Sequence, residues 1–138
     1  MKRALLTFLF AATACLLPQA AHAQIIIANT SIKATDVSKA DLRDVFTGGS
    51  STLAGAHVSP VLLKSGPVTD GFLALYIGKP DAAFRAGWRS LVFSGQATMP
   101  KSLDSDAAVV DYVAHNAGTI GYIGKATLHE GVKVLSTR

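Results

Sequence analysis

Residues Tyr112-Val113-Ala114-His115-Asn116-Ala117-Gly118-Thr119-Ile120-Gly121-Tyr122-Ile123 carry a helical pattern through Asn and Gly straight into a strand-like apolar run. Asn116 to Gly118 end the helix, because these residues tolerate the left-handed backbone of a helix terminus at little steric cost. A helix handed to a strand through so short a turn is the joint of a layered α/β protein. Whatever this chain folds into must place that helix on a sheet.

The segment 1–23 reads as a leader to be set aside before the fold is argued. Lys2 and Arg3 precede an apolar run from Ala4 to Leu17, and Ala21-His22-Ala23 supplies a small-x-small cleavage pattern. Together they make a secretory signal. The run is too short for a permanent membrane span, and no stop-transfer pattern follows it. Cys15 lies within it without a large aliphatic residue in the preceding Ala12-Thr13-Ala14, so it reads as discarded rather than lipidated. Gln24 is then the expected mature amino terminus, with one domain over 24–138 and a periplasmic location.

The remainder of the chain contains no cysteine. A disulfide framework and a thiolate metal site are thereby excluded, and the core must stand on packing alone. Without Lys2 and Arg3, the 13 basic and 9 acidic residues reduce to a net charge of +2. No segment clusters Lys or Arg with aromatics, so a nucleic-acid partner is not indicated.

Along the expected mature chain, Gln24 to Ala28 reads as a buried strand and Asn29 to Thr35 as a turn. Ser38 followed by Asp41 resembles a capping box, with Leu42, Val45 and Phe46 on one face of a helix over 39–46 that Gly48-Gly49 ends. Gly48-Gly49-Ser50-Ser51 lacks the Lys of a phosphate loop and precedes no helix, so helix termination is preferred. Val58 to Lys64 predicts a strand, in which Pro60 suits an edge or first position. Pro67 opens a helix closed by Gly78 and Pro80. Asp81 starts another, with Phe84, Trp88 and Leu91 at core spacing, Phe93 beyond, and Gly95 as a stop. Asp104 or Ser105 caps a helix with Val109, Val110 and Val113 inward. Ile120 to Ile123 is a strand, and Val132 to Leu135 is a last strand after His129-Glu130-Gly131.

Chemistry is sparse. His57, His115 and His129 have no spacing that would bring two imidazoles to one metal, and no nucleophile elbow occurs, so neither a cofactor nor catalysis is expected. Asp104 and Asp106 read as helix-start carboxylates. One place has anion-binding physics: Lys64, Ser65 and Gly66 lead from a strand into a helix amino terminus, where unpaired N–H groups and the helix dipole favour negative charge, and Thr69 adds a hydroxyl. Against that stands a purely structural alternative, in which Ser65 caps, Lys64 is solvated and Asp70 already answers the dipole.

Several segments taken in order resemble one family: Leu42-Arg43-Asp44-Val45-Phe46-Thr47-Gly48, Val58-Ser59-Pro60-Val61, Phe72 with Tyr76-Ile77-Gly78, Trp88, Phe93-Ser94-Gly95, Met99-Pro100, and Gly118-Thr119-Ile120-Gly121-Tyr122-Ile123. The chain from Ile25 to Leu135 is similar to the periplasmic substrate-binding component of phosphate ABC importers, in the type 2 periplasmic-binding-protein superfamily. That resemblance implies a single-lobe, three-layer α/β sandwich with a central mixed sheet, corresponding to the second of two lobes that close on an oxyanion and the return into the first. It implies phosphate or a similar oxyanion as ligand, an ABC importer or other envelope protein as partner, and no enzymatic activity.

The family's second-lobe contacts are an Arg followed by Ser-Gly-Thr. Counted back from Phe72, Lys64 stands at the Arg and Val68-Thr69-Asp70 at the triplet. Lys lacks the planar fork of Arg, Val68 has no hydroxyl, and Asp70 is repelled by an anion. A gapped match would use Ser65 and Gly66. The expected site is therefore Lys64, Ser65, Gly66 and Thr69. The alternative is a fold that has lost its ligand and serves as an interaction module, docking a partner or pairing as a homodimer across an apolar face. A secreted hydrolase is a distant third.

Overall fold

The computed structural model describes residues 24–125 and 130–138. The leader, its cleavage pattern and His129 lie outside them. In chain order the elements are β1 (Ile25–Asn29), β2 (Asp36–Val37), α1 (Lys39–Thr47), β3 (Thr52–Leu53), β4 (Ala56–His57), β5 (Ser59–Leu63), α2 (Pro67–Phe72), α3 (Asp81–Phe93), β6 (Lys101–Leu103), α4 (Asp106–His115), β7 (Thr119–Ile123) and β8 (Val132–Thr137). Six strands form one sheet in the order β2-β8-β1-β7-β5-β6, while β3 and β4 make a small hairpin. β5 runs parallel to both β6 and β7, and β1 runs antiparallel to β7 and β8, so the sheet is mixed.

Strand β7 explains the layering. Every residue in it is buried, as a strand covered on both faces requires. Gly121 faces α4, where an added Cβ would stand 3.0 Å from Val109. Its neighbour Tyr122 points the other way, as alternation along a strand dictates, and stacks on Phe72 of α2 at 4.0 Å and 3°. Phe46 of α1 meets Phe72 edge-on at 4.9 Å and Tyr122 at 5.9 Å. Such pairs contribute about 0.5–1.5 kcal/mol each beyond the apolar area they bury.

The helix boundaries follow local chemistry. Ser38 Oγ accepts from the Asp41 N–H to start α1, and Gly48 ends it in the left-handed conformation that glycine adopts without steric cost. Ser105, rather than Asp104, caps α4 by accepting from the Ala108 N–H. The Asp106 carboxylate accepts instead from the Gly124 and Lys125 N–H groups, both at 3.1 Å, which ties the exit of β7 to the start of α4.

Three expectations need correction. Pro60 sits in an interior strand, where β6 pairs with β5 only from Val61 onward. No ladder bond is therefore lost to the missing N–H on that side. Asn29 ends β1 instead of starting a turn, and its buried amide donates to the Val113 carbonyl at 2.7 Å at the end of α4. The helix after Pro67 changes at Leu73–Ile77 into a π-helical turn. Phe93 is 89% exposed and takes no part in the Phe84–Trp88 contact with the core. Gln24 packs over Gly71, and its Nε2 is a buried side-chain nitrogen without a hydrogen bond among the described residues.

Candidate functional site

The three parallel strands β6, β5 and β7 all end on one side of the sheet. In open α/β sheets ligands gather outside such carboxyl ends. Here they deliver Lys64-Ser65-Gly66 after β5, Asp104-Ser105 after β6 and Gly124-Lys125 after β7.

The Leu63 and Lys64 carbonyls organise this edge from below. Thr69 is buried, and its Oγ1 lies 2.7 Å from the Lys64 carbonyl, 3.1 Å from that of Leu63 and 2.9 Å from the Tyr122 hydroxyl. The Leu63 N–H donates to Tyr122 Oη at 3.2 Å. One proton assignment satisfies the chain throughout: Leu63 N–H to Tyr122, Tyr122 to Thr69, Thr69 to the Lys64 carbonyl. Burial pushes the Tyr122 phenol above its ordinary pKa, opposed by the bonds to Thr69 and Leu63 and by the charge of Arg85, because a low-dielectric setting disfavours the phenolate.

Above this buried relay lies a charged layer. Arg85 Nη2 donates to the Leu63 carbonyl at 3.3 Å, and its Nε pairs with Asp81 Oδ1 at 2.9 Å. Ser65 Oγ donates to the other oxygen, Oδ2, at 2.6 Å. Gly66 turns the chain into α2 through an extended, positive-φ corner, a backbone region that is essentially glycine's alone. Lys64 and Asp70 are exposed beside it.

Of the expected site residues, Lys64, Ser65 and Gly66 therefore share the surface of the edge, while the Thr69 hydroxyl points beneath it. Sequence reasoning missed Asp81 and Arg85. Their i, i+4 spacing on α3 announces an ion pair, but nothing local connects it to Ser65, far earlier in the chain.

An open groove lies elsewhere. A groove of about 750 Å³ lies at the amino ends of the same strands, between the Gly48–Ser51 turn, His57 to Val61, Trp88, and the 96–101 segment with Lys101. His57 Nε2 and Ser59 Oγ approach to 3.4 Å there. Trp88 closes its floor and donates its indole N–H to the Phe46 carbonyl at 2.8 Å. None of the expected site residues lines it. Among the described residues no cluster of His, Cys, Asp and Glu could hold a metal ion, and no helix is long and apolar enough to cross a membrane.

No protein-family model and no curated protein matches the chain. Solved structures do. A structure from Clostridium perfringens described as a putative phosphate ABC transporter substrate-binding protein with bound phosphate superposes with a TM-score of 0.63 at 16% identity, over 83% of this chain and 44% of that one. The fold is that of one periplasmic-binding-protein-like lobe. The same lobe matches an ABC-type phosphate transport receptor from Vibrio cholerae, with a TM-score of 0.54 at 14% identity over 83% and 45% of the two chains. It also matches PstS from Borrelia burgdorferi, with a TM-score of 0.55 at 16% identity over 83% and 47%. Identities this low speak to fold. The periplasmic-binding-protein-like lobe spans less than half the length of each of these proteins.

Proposed function

We propose that this chain is an exported, non-catalytic lobe that binds phosphate or another small oxyanion at the carboxyl edge of β5, in the service of an ABC importer or another envelope protein. Lys64 supplies positive charge, Ser65 a hydroxyl donor, and Gly66 a backbone with no side chain in the way. Thr69 supports them from beneath by holding the Lys64 carbonyl. The observation that carries this reading is the 2.6 Å bond from Ser65 to a carboxylate that also faces a guanidinium. A hydroxyl and a guanidinium turned on one carboxylate are donors suited to two oxygens of an anion. The phosphate-binding protein that shares the fold adds support.

Calorimetric titration with inorganic phosphate and with sulfate tests it. Lys64→Ala should weaken binding about tenfold or more, the usual scale for loss of a charge-assisted contact. Millimolar phosphate producing no heat with either protein would rule the reading out.

A second reading has its own observation. Phe93 is 89% exposed, with Val92 beside it at 40%, at the end of a helix that meets the core only through its inner face. This favours an interaction module that docks a partner or a second copy through the end of α3. Light scattering after size exclusion separates the two: a strict monomer, with the same elution for wild type and Phe93→Ser, counts against it.

A further inference from the structure

Both oxygens of Asp81 are taken by donors from two different elements. Ser65 belongs to the β5–α2 turn and Arg85 to α3, and the side chains of Arg85 and Asp81 are only 19% and 22% exposed. The Arg85 pair alone would serve the first turn of α3, so the bond reaching back to Ser65 is not something that helix requires. A hydroxyl and a guanidinium set against two oxygens on one central atom are also the donors a tetrahedral oxyanion needs. Arg85 is anchored independently through the Leu63 carbonyl, so its guanidinium would stay at the edge without Asp81.

We propose that Asp81 sets the affinity and selectivity of the carboxyl-edge site: its carboxylate holds the donors that an oxyanion would use, so an incoming anion must displace it or bind against its charge. This rests on the oxyanion reading above and specifies what controls that site. A free anion competes with a tethered one, and like charges a few ångströms apart repel strongly in a partly buried setting. Asp81→Asn keeps the shape of the side chain and an acceptor for Ser65 while removing the charge. Affinity for phosphate should therefore rise, by about tenfold or more.

The experiment is calorimetry of the full chain with inorganic phosphate, comparing wild type, Asp81→Asn and Asp70→Asn, with far-UV circular dichroism to establish folding. Asp70 is the control, because it is an exposed carboxylate at the same edge that takes no part in the Ser65–Asp81 bond. Asp81→Ser, which also lacks the charge and can start a helix, replaces Asp81→Asn if that variant does not fold. Binding that is measurable in wild type and tighter in the Asp81 variant alone supports the proposal. Unchanged or weaker binding in a folded Asp81 variant overturns it, and leaves the oxyanion reading standing if wild type binds. An equal gain in Asp70→Asn overturns it in favour of a diffuse charge effect. Silence from all three removes both proposals together.

Discussion

The two ends of the parallel strands offer opposite kinds of surface. At the amino ends there is space: a groove of about 750 Å³ lined by hydroxyls, His57, Trp88 and Lys101. At the carboxyl ends there is dense polar chemistry, with Ser65, Asp81, Arg85, the Leu63 and Lys64 carbonyls, Thr69 and Tyr122 joined in one hydrogen-bonded column from surface to core. The contrast teaches that open volume and dense hydrogen bonding need not coincide. Where a protein's own carboxylate faces a hydroxyl and a guanidinium, those polar groups are already satisfied.

The comparison can be broken from the core upward. Phe72→Ala removes the ring stacked on Tyr122. It should cost about 3–5 kcal/mol in chemical denaturation, because a cavity opens directly under the carboxyl edge. A loss below about 1 kcal/mol would mean that the edge does not depend on that stack. Tyr122→Phe is subtler, since it strands the Leu63 N–H and one neighbour of Thr69. It should cost about 1–3 kcal/mol. Combined with Thr69→Val, the two losses should add to less than their sum, since both break one network.

Alkaline pH sharpens the same point. Burial raises the Tyr122 pKa in the folded state, so the folded protein holds its proton more tightly than the unfolded chain. The associated stability is complete below the ordinary tyrosine value, about 10, and is lost as pH rises from there through the folded value. A wild-type melting temperature that falls above that range more steeply than that of Tyr122→Phe is the expected outcome. At the other end, Lys101→Ala on the groove should change stability by no more than about 0.5 kcal/mol and leave phosphate binding as it was. Any change in anion affinity there would make the groove, rather than the charged column, the place to look.

Much of the scaffold was legible because it is written in local chemistry. Ser38 and Gly48 bracket α1, Ser105 opens α4, and the Asn116–Gly118 turn leads into β7 much as the residue types require. Pro60 misled because pairing is asymmetric: the residue can sit in an interior strand when the neighbour on one side begins later. The orientation of Thr69 was available and unused. It precedes Phe72, Leu73 and Tyr76 at i+3, i+4 and i+7, all of them buried, and that spacing makes a core-facing stripe which turns its hydroxyl inward. Ser65 with Asp81 was not legible, since only the packing of α3 against the β5–α2 turn brings them within 2.6 Å.

The position of β1 has a consequence in time as well as space. The first described strand lies inside the sheet, and both of its ladder partners, β7 and β8, come from the far end of the chain. The middle of the sheet cannot close until the segment 119–137 is available, so pairing must await long-range contacts that form slowly. A chain organised in this way stays unlatched while it is being made. The order of its strands, rather than any single contact, sets when the sheet can close.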